Sequence, residues 1–182
     1  MRTIRTPLTA SQPFYLEQVK AHGRIDGSDD DATVDLMAHT AAADIEAQAD
    51  LALLAQSITV EVEAWGCAVI LPVGPALTSP DNPPTVTVID AEGVETPLLT
   101  GWWMYGSMRP VLRFSTSPVG ALLRITYTAG YGENTADVPV DLQLAIHDHA
   151  ARLYDLRGAE DGPPGLSTAA ARIVARYKRV RA

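Results

Sequence analysis

The sequence predicts an α+β fold: a mostly helical bundle, built from an N-terminal helix pair and a helix near 138–157, with a small antiparallel β-domain inserted and a C-terminal tail. Three observations carry this expectation. Apolar residues recur at helical spacing before residue 56 and again after Val138. Between them the period drops to two, with Ile58, Val60 and Val62 alternating with Thr59, Glu61 and Glu63. Past the third helix, Asp161-Gly162-Pro163-Pro164-Gly165 breaks any regular element and a basic stretch follows. The expected divisions are a helix pair over 1–56, an antiparallel β-rich region over 57–130, a helix packing on the pair over 131–160, and a hinge with a basic arm over 161–182.

The first helix is expected to open at Ser11-Gln12-Pro13, since Ser caps and Pro is tolerated in a first turn. It carries Phe14, Leu16, Val19 and Lys20 and stops at Gly23. The second takes Ser28 as N-cap and Asp31 at N3, a capping box, with Asp29 and Asp30 also suiting the positive end of the helix dipole. It is expected to reach about Leu54, with Met37, Ala41, Ile45, Gln48 and Ala52 on one stripe and Leu36, Ala43, Ala47, Leu51 and Leu54 on the flank. So many alanines let a neighbour approach closely, which predicts a helix–helix seam.

Cys67 to Leu71 reads as a second strand, closed by the turn Pro72-Val73-Gly74-Pro75. Residues 85–90 and 95–100 form a hairpin across Ala91-Glu92-Gly93-Val94. Residues 111–115 and 121–128 form another pair across Thr116-Ser117-Pro118-Val119-Gly120. Prolines from Pro72 to Pro118 keep the strands short. The third helix begins at Val138-Pro139 with Asp137 as cap, and has Leu142, Ile146, His149 and Leu153 on its stripe, with Ala145 and Tyr154 beside it. Gly158 ends it, and Ser167 to Arg179 form a short basic helix.

Composition narrows the function. The 182 residues, 47% hydrophobic and 20% charged, are globular values that exclude wholesale disorder. No apolar run approaches the roughly 18 residues of a membrane span, and no apolar segment follows Arg2 and Arg5, so synthesis and residence in a cytoplasm are expected. The net charge of −8 is unevenly spread. No Lys or Arg stands between Arg24 and Arg109, whereas Arg172, Arg176, Lys178, Arg179 and Arg181 follow Asp161 with no acid among them. An acidic body argues against sequence-specific DNA reading, which needs cations on the phosphates.

Catalytic and cofactor chemistry finds no constellation. Asp26 to Asp31 have the acids of a calcium loop, but Asp31 replaces its glycine and Met37 its bidentate glutamate, and a helix N-terminus accounts for them. His147 and His149 fall on different sides of a helix, His149 toward the core and His147 toward solvent, and so share no metal. Cys67 in an apolar strand is expected to be buried and inert. Gly130-Tyr131-Gly132 lacks phosphate-loop spacing. The aromatic patch Trp102-Trp103-Met104-Tyr105 reads as core or subunit contact before it reads as a carbohydrate platform. The chain is expected to be no enzyme and to need no cofactor.

Two segments together resemble a known pattern. Ile125-Thr126-Tyr127-Thr128-Ala129-Gly130-Tyr131-Gly132, followed by Val138-Pro139 and the helix ending near Leu153-Tyr154, is similar to a passage of phage head–tail connector proteins, the adaptors beneath the portal of long-tailed phages and gene transfer agents. In the same order, residues 16–26 resemble the family's opening helix, with Gly23 in place of its usual Leu. Leu71-Pro72 with Pro75 resembles its turn, and Tyr177-Lys178-Arg179-Val180-Arg181 its ending. The resemblance implies a structural virion protein: about twelve copies in a ring of heterologous contacts, joining capsid to tail while double-stranded DNA passes through. It implies the portal and a stopper or tail-side neck protein as partners, and no membrane. On that footing Arg172, Arg176, Tyr177, Lys178, Arg179 and Arg181 are candidate portal-docking residues on an arm that orders on docking. Asp29, Asp30, Asp31, Asp35, Asp44 and Glu46 are candidate channel-lining acids, and Trp102, Trp103 and Tyr105 candidate subunit contacts. The alternatives are a neck stopper or tail-completion protein and, further off, a monomeric β-rich binding module.

Overall fold

The computed structural model describes residues 1–78, 82–157 and 165–178. The chain is α+β, but richer in sheet than a helical bundle with an insertion: eight strands and four α-helices form among the described residues. Two compact units share it, one of Met1–Ala10 with Ala55–Tyr131, the other of Ser11–Leu54 with Gly132–Ala182.

The β unit opens with a strand the periodicity does not announce. β1 (Arg2–Pro7) pairs antiparallel with β2 (Gln56–Val62), Arg2 opposite Glu61 and Pro7 opposite Gln56. All six of its residues are exposed, so nothing forces its sequence to alternate. β2 pairs with β8 (Leu122–Ala129), which pairs with β4 (Thr85–Ile89), and β4 with β5 (Glu95–Pro97), giving the order β1-β2-β8-β4-β5. One face is apolar, because Ile58, Val60 and Val62 stand opposite Tyr127, Ile125 and Leu123, and all six are buried. On the other face Arg124 bridges Glu61 at 3.1 Å and Glu95 at 2.6 Å. The 85–90 and 95–100 hairpin forms as expected.

The expected pairing of 111–115 with 121–128 does not form. β7 (Val111–Phe114) lies instead between β3 (Ala68–Ile70) and β6 (Trp102–Tyr105) in a separate three-stranded sheet. Alternation tells which face of a strand is buried but not which sheet accepts it. Cys67, just ahead of β3, is exposed rather than buried.

The helical unit holds α1 (Leu16–Gly23), α2 (Asp31–Ala49), α3 (Val140–Asp155) and α4 (Thr168–Tyr177). α1 begins at Leu16, not at Ser11, and Phe14 is buried just ahead of it. Gly23 is the last helical residue, and Arg24 takes the left-handed conformation (φ 53°). α2 is capped at Asp30, so the capping box of Ser28 and Asp31 does not form; Ser28 contributes only its carbonyl to Asp31 N–H at 3.2 Å. The helix ends at Ala49, ahead of Leu54, with Asp50 left-handed (φ 55°). Leu51, Ala52, Leu53 and Leu54 are four successive buried residues, which no single helical face accommodates. The core-facing stripe of α2 is Val34, Ala38, Ala41, Ala42, Ile45 and Ala49. Leu36, Ala43 and Ala47, expected on its flank, are exposed.

α3 starts at Val140 behind Pro139, and Asp137 closes a preceding 3-10 turn (Thr135–Asp137) by accepting from Asn134 N–H at 2.9 Å. Leu142, Ala145, Ile146 and His149 are buried as expected, Leu153 only in part. The expected helix end at Gly158 and the hinge residues 161–164 lie outside the described residues.

Candidate functional site

Residues 167–178 of the basic C-terminal stretch are built into the helical unit. Ser167 caps α4, its Oγ accepting from Ala170 N–H at 3.2 Å, and its own backbone N–H donates to His149 Nδ1 at 3.2 Å. Ala170 and Val174 are fully buried, as α4 packs on α3 and α2. At the far end the Tyr177 hydroxyl sits between the two oxygens of Asp141, at 2.7 and 2.9 Å, and Arg176 reaches the same carboxylate at 3.1 Å. Residues 167–178 thus form a helix with its N-cap and both ends tied to its own unit. Arg172 and Lys178 stand exposed on it. Arg179 and Arg181 lie outside the described residues.

The six candidate channel acids are mostly engaged within their own unit. Asp30 accepts the Tyr154 hydroxyl and lies 3.6 Å from Arg157, whose guanidinium stacks 3.6 Å over the Tyr154 ring. The bond to Asp30 is the main reason that the Tyr154 phenol is held above its ordinary range. Asp31 holds the buried Lys20 ammonium at 2.6 Å, and this hydrogen bond, outweighing desolvation, raises the lysine above its usual value. Asp35 contacts Gln12 at 3.3 Å and His39 at 3.6 Å. Asp44 contacts His149 at 3.1 Å, and Glu46 accepts from Leu53 N–H at 2.7 Å, covering the chain where α2 ends. Asp29 is exposed. Of these acids Asp30 and Asp44 are clips whose partners stand more than a hundred residues away in sequence.

The aromatic patch divides by strand alternation. Trp102 turns inward beside Phe114 and donates its indole N–H to Leu98 C=O at 2.7 Å. Trp103 and Tyr105 point the other way and are each about half exposed, at 49% and 46%.

His147 was expected in solvent and is buried, at 7% exposure. α3 is covered on two sides, by α1 and by α2 with α4, so two histidines that differ by half a turn both find protein. Its Nε2 has no hydrogen-bond partner among the described residues, and its ring lies 6.3 Å from that of His22, which itself approaches Asp148 at 3.6 Å. Burial first, and the His22 charge second, push the His147 pKa below 6.5. A folded-state pKa below the unfolded one means that the unfolded chain binds the proton more readily. The contribution is therefore complete above about pH 6.5 and is lost progressively as pH falls from there through the lower folded-state pKa. We expect the helical unit to melt lower at about pH 5 than at about pH 7, and His147→Met to flatten that dependence, as read by far-ultraviolet circular dichroism. An equally steep acid limb in the variant would assign it to other groups.

No described helix is long and apolar enough to cross a membrane. No protein-family model and no curated protein matches the chain. Among solved structures it is similar over its whole length to a chain in the neck of an empty GTA particle computed with C6 symmetry, at 26% identity and a TM-score of 0.82, covering 100% of this chain and 97% of that one. Chains in the virion of a native gene transfer agent particle (TM-score 0.81) and in the neck of a native GTA particle computed with C12 symmetry (0.80) match at the same identity and coverage. This likeness supports a structural neck protein of the phage and gene-transfer-agent kind.

Proposed function

We propose that the chain is a head-to-tail adaptor, a ring subunit beneath the portal that joins capsid to tail. The observation that carries this reading is the likeness end to end, with 100% of this chain and 97% of the neck chain covered. Necks computed with C6 and C12 symmetry support a cyclic assembly, and we take twelve copies from the latter. The ring would form in the particle neck from chains synthesised in the bacterial cytoplasm.

α4 supplies the portal-facing surface: a helix held rigid at both ends displays Arg172 and Lys178, with Arg176 and Tyr177 partly committed to Asp141 and with Arg179 and Arg181 continuing the basic run. Preorganisation lowers the entropy lost on docking. DNA passes through without sequence-specific binding. α2 carries Asp31, Asp35, Asp44 and Glu46 and no Lys or Arg, so its field repels phosphate even where the carboxylates hold internal partners, and Asp29 adds an exposed acid.

The solution mass of the chain, alone and mixed with its own portal protein, tests the reading. The expected result is a ring-sized complex on the portal, and a double reversal, Arg172→Glu with Lys178→Glu, weakening it about tenfold at low salt with folding unchanged. A chain that ignores the portal but binds a preformed adaptor ring is a stopper. One that stays monomeric with both is neither.

A further inference from the structure

The outer face of the three-stranded sheet is an ordered grid. By register, Ala68, Arg113 and Trp103 form one cross-strand row, and Ile70, Val111 and Tyr105 the next. Ile70 is 61% exposed, Trp103 and Tyr105 about half, Arg113 and Ala68 exposed, and Val111 half-buried. Arg113 Nε donates to the Tyr105 hydroxyl at 3.1 Å, and the guanidinium lies 6.0 Å from that ring's centre. Trp, Tyr and Arg over an aliphatic floor is the composition of an interface centre. A sugar platform is disfavoured, because the flanking positions are Ala68, Ile70 and Val111 rather than hydrogen-bonding side chains, and Arg113 already uses the Tyr105 hydroxyl.

A second bare apolar surface belongs to α2. Opposite its buried stripe, Ala32, Leu36, Thr40, Ala43 and Ala47 follow one another at spacings of three and four and are all exposed, Leu36 at 62%. Thr40 turns its hydroxyl back to Leu36 C=O at 2.9 Å, which leaves its methyl outward. A helix apolar on opposite faces is normally covered on both. The two surfaces also match in charge. Arg113 is the one charge of the sheet grid, whereas α2 has four acids, one histidine (His39) and no Lys or Arg, with the half-exposed Asp44 next to Ala43.

We propose that the outer face of the three-stranded sheet of one copy receives the outward stripe of α2 of the next copy, as the two unlike halves of a head-to-tail contact. The proposal rests on the ring reading above and specifies its interface. Unlike halves propagate around a ring, while like halves would stop at a dimer. The small side chains of α2 allow Trp103 and Tyr105 to reach its backbone ridge, and Arg113 meets the acidic helix.

Two full-length variants test it, one blocked on the sheet (Trp103→Glu with Tyr105→Glu) and one on the helix (Ala43→Arg with Ala47→Arg). All four positions are exposed, and each variant keeps the other half-interface intact. Their masses are measured by sedimentation, alone and with portal protein. In whichever setting the wild type associates, each variant alone is expected to remain monomeric to at least about tenfold higher concentration. Their equimolar mixture is expected to form a heterodimer and stop there, which also shows that both are folded. Association of either variant like wild type, or a mixture that stays monomeric, overturns the interface and leaves the neck reading standing. So does an oligosaccharide affinity of the monomer that Trp103→Glu abolishes. A wild type that associates in neither setting overturns both.

Discussion

Replacing Tyr127 with phenylalanine is expected to destabilise the β unit by about 2–4 kcal/mol, although only one oxygen is removed. The ring is buried in β8 opposite Ile58. Its hydroxyl donates to Val73 C=O at 2.8 Å and accepts from Val73 N–H at 3.1 Å. Val73 is itself buried, at 1% exposure, so the variant strands a donor and an acceptor together, each costing about 1–3 kcal/mol when unmet. The melting temperature should fall by roughly 10 °C. Trp65, Trp102 and Trp103 are the chain's three tryptophans and all lie in this unit, so fluorescence reports its melt apart from that of the helices. A loss below about 1 kcal/mol would mean that water replaces the hydroxyl, and that the clasp is not what holds the turn.

That clasp joins two separate sequence features. The turn Pro72-Val73-Gly74-Pro75 and the run Tyr127-Thr128-Ala129-Gly130 are far apart in the chain, yet form one unit. Tyr127 holds Val73, Gly130 N–H donates to Pro75 C=O at 2.8 Å, and Ala76 bridges Ala129. Gly130 has φ 135°, where a side chain is strained. Gly74 has no room for one, because a Cβ there would overlap the Met108 carbonyl.

How much could be read in advance depends on how many sides of an element are covered. β2 and β8 were legible because one face of each is buried and the pattern follows it, and α3 was legible along its main stripe, although its second covered side hid the burial of His147. β1 was not, since neither of its faces is covered. α2 misled in the opposite sense: alanines on both faces fit several stripes, and the buried one proved to run through Val34 and Ala38 rather than Met37 and Gln48. The pairing of β7 needed a partner, β3, some forty residues earlier, and alternation carries no address. Among the candidate site residues, acids at a helix start are visible as such. What they bind is not, because Lys20, Tyr154 and Arg157 reach them from elsewhere in the chain. Arg113 drew no attention in the sequence, and Leu36 was expected only as part of a packed flank. An isolated Arg in a strand and an isolated Leu in a helix acquire meaning only when register and burial put them on bare faces.

His149→Leu should loosen α4 without touching it. Ser167 N–H can only donate, so His149 Nδ1 is the acceptor, and Nε2 then carries the proton toward Asp44, 3.1 Å away. One buried imidazole thus ties α2, α3 and the N-cap of α4. Leucine fills similar space but leaves the buried Ser167 N–H unmet, at about 1–3 kcal/mol, while the half-exposed Asp44 can turn to water. Amide exchange across Ala170–Tyr177 is expected to speed up by roughly 10- to 100-fold, the equivalent of about 1.4–2.8 kcal/mol of local opening. Two further substitutions separate the bonds. The amide oxygen of His149→Asn can take the place of Nδ1 and keep Ser167, whereas His149→Gln reaches toward Asp44 and leaves Ser167 unmet. Protection of α4 should therefore follow Asn above Gln and Leu. Equal protection in all three would mean that the buried Ala170 and Val174 alone hold the helix. If α4 is the portal-facing surface, portal affinity must fall in the same order, although no residue that meets the portal has been changed. A loosened helix that still binds the portal as tightly as wild type would move the docking surface elsewhere.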